Sequence, residues 1–369
     1  MPALRFVVPD RQGGPSGGDV YDEQVIAAWR RGHGPVEVIS LPGSWPHPAA
    51  AERHAVAAAL HGGGVIVVDG LIGSACPTQI ERATAAGATV VLLIHLPLLA
   101  DPALEPAVAH RLAATEHRAV HAAGAVVATS NWTARDLVRR YGAVDVVVAA
   151  PGTAPAPLAA GADPPHLLVL GAVSTVKNQE ILLPALASLQ DLPWRATFAG
   201  PTPQPQVTAR IEAAVDETGL RDRIAMPGVV RGQERERLWH HTDLLLVPSL
   251  VETYGLVVTE ALARGIPAIV AHGTGAVEAL FGAPGTNAPR DPPGDVAEPR
   301  EAASWARVLR DWLTEPATRA SWRAGALHRR EHLRTWDQTA ADLRHGLFTR
   351  DGAVRARRIG GVDTVARHP

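Results

Sequence analysis

The chain has 369 residues, of which 46% are hydrophobic and 20% charged, and its 35 basic and 37 acidic side chains leave a formal net charge of -2. That balance describes a globular protein with no field to draw nucleic acid or an anionic membrane, and the length suits two domains, each with its own core. The single cysteine, Cys76, excludes an intrachain disulfide and suits a reducing compartment.

The opening "ALRFVV" has no charged segment leading into an apolar stretch and a small-residue cleavage site, so no secretory leader is expected. The longest apolar run, "ATVVLLIHLPLLA", is broken by His95 and Pro97 and falls short of the ~20 residues that span a bilayer. The expectation is a cytoplasmic protein without a transmembrane segment.

Short valine-rich runs alternate with longer Ala/Leu/Arg segments of helical period, which argues for βαβ units and parallel sheets. The first half predicts strands at 4–8, 36–39, 64–68, 89–94, 125–128 and 145–148, with helices near 19–31, 49–60, 104–122 and 131–140. The proline-rich stretch that follows has no usable period and reads as a linker. The second half repeats the scheme with strands near 167–171, 195–199, 223–226, 243–247 and 267–270. Arginine-rich amphipathic helices follow Pro316, and Trp336, Ala340, Leu343 and Leu347 then fall on one helical stripe. The expected organisation is a first Rossmann-like domain at 1–149, a linker at 150–165, a second such domain at 166–334, a helix at 335–348 and a disordered tail at 349–369.

Lys177 is the only lysine; the other 34 basic side chains are arginines. It follows the strand "LLVL" and a turn opened by Gly171, and precedes a helix, "NQEILLPALASL", for which Asn178 is the predicted N-cap. Strand carboxyl ends and helix N-termini are where anions collect in α/β sheets. A compact ammonium can aim one charge at a phosphate oxygen where a guanidinium would not fit. A surface lysine left over by chance is the competing reading. Pro184 predicts a kink or a late helix start.

The second candidate site is "VPSLVETYGLVVTEALARGIPAIV", residues 247–270. A strand ends at Val247, a loop carries Ser249, Glu252 and Tyr254, and Gly255 permits the turn into a helix that Gly265 closes. Glu252 then lies ahead of the helix and Glu260 one to two turns inside it. Carboxylates suit vicinal hydroxyls and backbone N–H groups suit phosphates, a combination fitted to a sugar nucleotide. Taken singly, Glu252 could be a cap and Glu260 a solvated helical residue.

The segment "PSLVETYGLVVTEALARGIP" resembles the Glu-x7-Glu signature of retaining GT-B glycosyltransferases of the family 4 type. "VLGAVSTVKNQEILLPAL" is similar to the donor-phosphate segment of that family, and "FAGP", "DRIAMPGVV" and "HHTDLLLVPS" to its later strands. The resemblance implies two Rossmann-like domains facing a cleft, with the final helix crossing back to the first. It implies Lys177 on the donor diphosphate, Glu252 by the transferred sugar, and Glu260 on the ribose. It also implies backbone contacts from Tyr254, Gly255 and Leu256, and Val229 and Val230 beside the base. The family usually carries an arginine where this chain has Ala172; Arg231, next to the base loop, is the candidate to compensate.

In the first half, Gly17 and Gly18 resemble the family's glycine loop between first strand and first helix, and His95 its cleft histidine at a strand end. Ser130 is expected to cap a helix. "GGPSGG" lacks the dinucleotide spacing, no Gly-x-Ser-x-Gly elbow exists, and His117 and His121 lack a third metal ligand. Asp291 and Asp295 are expected in a Pro/Gly loop. The implied activity is glycosyl transfer with retention, from a nucleoside-diphosphate sugar to an unidentified acceptor hydroxyl, without metal or other cofactor. The donor's own phosphate oxygen is inferred to help deprotonate the acceptor. A sugar-nucleotide epimerase or a non-catalytic sugar-nucleotide-binding protein of the same fold are the alternatives.

Overall fold

The computed structural model describes residues 4–10, 16–100, 104–142, 145–283 and 291–359, with side chains as far as Leu347. The first half runs β1 (Leu4–Asp10), α1 (Gly17–Gly32), β2 (Val36–Pro42), α2 (Ala50–Ala59), β3 (Val65–Asp69), α3 (Gly70–Gly73), α4 (Pro77–Ala85), β4 (Thr89–Ile94), α5 (Pro106–Ala122), β5 (Ala125–Ala128), α6 (Asn131–Tyr141) and β6 (Val146–Val148). The second runs β7 (His166–Leu170), α7 (Leu182–Ala187), β8 (Arg195–Ala199), α8 (Pro205–Glu217), β9 (Ile224–Gly228), α9 (Gly232–His240), β10 (Leu244–Val247), α10 (Leu256–Ala263), β11 (Ala268–Ala271), α11 (Ala276–Phe281), β12 (Gly294–Ala297), α12 (Ala302–Thr314), α13 (Pro316–Glu331) and α14 (Trp336–Ile359).

All strand pairs are parallel, in two six-stranded sheets ordered β2-β1-β3-β4-β5-β6 and β12-β11-β10-β7-β8-β9. Helices cover both faces, so the central strands read as unbroken apolar runs: Val90 through Ile94 are fully buried. The strand order reverses between β1 and β3 in the first sheet and between β7 and β10 in the second, and ligands of such folds bind at these switch points.

The stripe of α14 returns to the first sheet. Trp336, Ala340, Leu343 and Leu347 share a buried cluster with Phe6, Tyr21, Val25 and Trp29, and the Tyr21 and Trp336 rings meet edge to face at 5.6 Å. The segment joining the sheets has no regular element but is tied down. Thr153 N donates to Arg334 O at 2.8 Å and Ala159 N to Arg264 O at 3.0 Å.

Several expectations are corrected. α4 was not foreseen, because a nine-residue helix between Pro77 and Gly87 is too short to establish a period. Asp295 lies in β12, paired with Ile269, not in a loop; β11 supplies hydrogen bonds that a local reading of prolines and glycines does not reveal. Gly17 and Gly18 form the first turn of α1 and not a loop. Ser16 Oγ accepts from Asp19 N and Asp19 accepts from Ser16 N, a capping box that starts the helix early. The helix after Lys177 begins late: a 3-10 turn spans Gln179–Ile181, and Pro184 sits in the first turn of α7, where its missing N–H costs little. α14 is described to Ile359, past the expected end at 348, since a hydrogen-bonded helix once nucleated propagates beyond its amphipathic stripe. The rest of the expected tail, 360–369, lies outside the described residues.

Candidate functional site

Lys177 follows β7 and Glu252 follows β10, the two strands that flank the switch point of the second sheet. Lys177 Nζ lies 2.6 Å from Glu252 Oε2, with the lysine side chain 33% exposed and the glutamate 14%. Asn178 fixes this meeting, though not as a cap. Its φ of 56° is left-handed, and its Nδ2 donates to Pro248 O at 3.1 Å and Pro299 O at 2.8 Å, stapling the lysine loop to the two neighbouring ones. Asparagine tolerates that conformation better than most side chains, and the sequence signal for it was read as an N-cap. Leu250 N donates to Val176 O at 2.8 Å and completes the tie.

The turn into α10 depends on two glycines. Gly255 has φ 90°, and no side chain caps the helix behind it. Gly275 N donates to Glu252 O at 2.6 Å, and a Cβ at Gly275 would collide with the Thr253 carbonyl. Leu256, the first residue of α10, packs on the core of the first sheet, and a Cβ on Gly17 would lie 3.7 Å from its Cδ1. The N-terminal ends of α1 and α10 therefore meet across the cleft between the sheets.

The second carboxylate goes elsewhere. Glu260, on the second turn of α10, faces α9 and pairs with Arg235 at 2.6 Å, each side chain 32% exposed. Arg235 and Arg264 both approach the Trp239 ring, at 5.8 and 5.0 Å from its centroid. Lys177 thus contacts Glu252 and not Glu260. Val229 is exposed, Val230 buried, and Arg231, the residue before α9, exposed. The Tyr254 ring is buried, and burial first, then the charge of Glu278, pushes its hydroxyl up to about 12.

On the first sheet, His95 directly follows β4, its side chain 16% exposed, with Nε2 2.9 Å from Asp22 Oδ1 and 3.7 Å from Asp69 Oδ2. A Cβ on Gly18 would lie 3.3 Å from His95 Cδ2, so α1 brings its glycine turn against the imidazole. Gly18 and His95 are thereby brought together, and Asp22 and Asp69 are partners that sequence reading missed. Asp22 lies at helical spacing from Gly18, the one signal that could have found it. Ser130 caps α6, accepting from Thr133 N at 2.9 Å. Glu278 of α11 reaches the same helix end: its Oε1 accepts from Asn131 Nδ2 at 2.9 Å, and its oxygens accept from the backbone N–H groups of Asn131 and Trp132 at 3.3 Å.

Among the described residues, two groups bring possible metal-ligand atoms within 4.8 Å of one another: Asp22, Asp69 and His95, and the exposed His328, Glu331 and His332. His117 and His121 stack on each other with ring centroids 4.3 Å apart and belong to neither. No described helix is long and apolar enough to cross a membrane.

Residues 153–329 match the family described as glycosyl transferases group 1. The D-inositol 3-phosphate glycosyltransferase of Xylanimonas cellulosilytica is 32% identical over 251 residues, 62% of this chain and 57% of that protein. The chain thus spans a little over half the length of the curated relatives it matches. The sucrose-phosphate synthase of Thermosynechococcus elongatus superposes with a TM-score of 0.71 at 18% identity, over 97% of this chain and all of that one. HepE of Anabaena, solved with UDP and glucose, gives 0.68 at 17% identity, over 94% of this chain and 99% of that one. Residues 153–329 of this chain thus carry the match to glycosyl transferases group 1, and the described chain as a whole has the GT-B fold.

Proposed function

We propose that this protein is a retaining glycosyltransferase of the family 4 type that moves a sugar from a nucleoside-diphosphate sugar to an acceptor hydroxyl. In this reading residues 1–149 form the acceptor side and 166–334 the donor side, and the reaction needs no metal and runs in the cytoplasm. The observation that carries the reading is the Lys177–Glu252 pair at 2.6 Å, beside the start of α10. A partly exposed ion pair stabilises a fold by about 0–1 kcal/mol, too little to explain why three loops are stapled to hold it. A hydrogen bond from a charged donor to a phosphate is worth about 1.5–3 kcal/mol, and a helix start adds its partial charge.

Lys177 and the N–H groups of Gly255 and Leu256 would receive the donor diphosphate, releasing Glu252 toward the sugar. As the glycosidic bond lengthens, charge grows on the departing phosphate, and a fixed cation and helix end stabilise that state more than the ground state. Glu260 would take the ribose and Val229, Val230 and Arg231 would line the base, with the Tyr254 backbone alongside. Gly17, Gly18 and His95 would meet the sugar from the other domain. Because HepE was solved with UDP and glucose, UDP-glucose is the first donor to try. The relatives' name offers inositol phosphate as the first acceptor.

The test is nucleotide release from a panel of nucleoside-diphosphate sugars, with the product anomer read by NMR. Slow donor hydrolysis without acceptor, a retained anomer and indifference to EDTA are expected. An inverted anomer would sink retention, loss of turnover with EDTA would sink the metal-free route, and sugar interconversion would indicate an epimerase. Binding without any product would indicate a non-catalytic protein.

A further inference from the structure

We infer that Trp132, on the first domain, is a positioning residue for Glu252 on the second, acting through the loop between β11 and α11. For its effect on turnover the inference rests on the donor-site reading, while the relay of contacts stands on geometry alone. Trp132 is the second residue of α6, whose start is fixed by the Ser130 cap. From there its indole reaches the other domain, where Nε1 donates to Gly273 O at 2.7 Å. Two residues further on, Gly275 N donates to Glu252 O at 2.6 Å. One short stretch of backbone thus joins a side chain of the first domain to the residue that meets Lys177 on the second.

That stretch is held at both ends. His272 N donates to Ala297 O at 2.9 Å, and Thr274 Oγ1 to Ala271 O at 2.9 Å. Gly273 turns with φ 77°, which glycine adopts without strain. The Thr253 carbonyl fills the place of a Cβ at Gly275, so the loop meets the Glu252 segment backbone to backbone. Glu278 closes the circuit. Its N–H donates to Gly275 O at 3.0 Å, while its carboxylate accepts from Asn131 Nδ2 at 2.9 Å and from Trp132 N at 3.3 Å. A packed segment anchored in this way shifts as a unit, so the point at which α6 holds Gly273 sets where Gly275 presents its N–H. Docking two domains needs only the apolar face of a ring; an indole N–H aimed at one carbonyl adds direction.

Trp132→Phe removes the N–H and keeps a ring in the half-buried seat, and amide exchange reads the relay without any substrate. Exchange at Gly275 should quicken about tenfold relative to the unmodified protein. Unchanged exchange there would overturn the proposal. In turnover, kcat should fall about tenfold while the donor KM changes less than twofold, because a small displacement of the carboxylate spoils alignment more than binding. A change in KM alone would reduce Trp132 to a contact between domains and overturn the positioning role. In the Gly275→Ala background, where the relay is already broken, Trp132→Phe should have little further effect on kcat; an equal loss in both backgrounds would overturn it. Absence of donor turnover in the unmodified protein would instead sink the transferase reading, with exchange at Gly275 still decisive for the relay.

Discussion

Lys177 is held where a guanidinium would have to displace Glu252, with the ammonium already 2.6 Å from the carboxylate. Lys177→Arg keeps the charge but not the shape, so kcat for donor cleavage should fall roughly tenfold or more, about 1.4 kcal/mol, with a melting temperature close to that of the unmodified protein. Near-normal kcat would make the lysine a surface survivor. A second residue governs stability instead. His166 begins β7 with its Nε2 2.8 Å from Thr197 Oγ1, and burial first, then the nearby His241, pulls its pKa down to about 4. The folded state therefore binds its proton less readily than the unfolded chain. The stability it contributes is full above about pH 6.5 and is lost as the pH falls toward 4. Melting curves across that range should fall more steeply for the unmodified protein than for His166→Gln; parallel curves would refute the assignment.

The loop between β10 and α10 is shaped from outside as much as from within. Gly275, at the start of α11, accepts no side chain because the Thr253 carbonyl occupies the space, and its N–H holds Glu252 O at 2.6 Å. Gly275→Ala must push the loop away and with it the carboxylate that meets Lys177. Nucleotide binding, followed by calorimetry, should weaken about tenfold or more, at a cost to stability of about 1–3 kcal/mol. Unchanged affinity would show that the loop does not set the site.

The two sheets are joined by more than the linker. Glu278 from the second caps the N–H groups of Asn131 and Trp132 on the first, and Trp132 Nε1 donates to Gly273 O at 2.7 Å. A carboxylate at a helix N-terminus is worth up to about 2 kcal/mol when partly buried. Glu278→Ala should therefore loosen this contact between the sheets, seen as a larger radius of gyration in solution scattering and faster amide exchange at Asn131 and Trp132. An unaltered radius and exchange would mean that α14 and the Leu256 contact hold the domains by themselves.

Periodicity determined the strands from β1 to β11, each of which lies within three residues of its apolar run, but not β12, and the amphipathic stripe of Trp336, Ala340, Leu343 and Leu347 determined the face that α14 buries. The motif residues Lys177 and Glu252 were legible because turn glycines and strand ends mark them in the chain itself. Only the tertiary structure could decide that Glu260 turns to Arg235, that Asn178 staples loops, and that Asp22 and Asp69 flank His95. Those outcomes depend on which strands lie side by side. Partners 25 to 121 positions apart in sequence leave no local pattern, since backbone spacing governs a period but only packing governs which side chains meet.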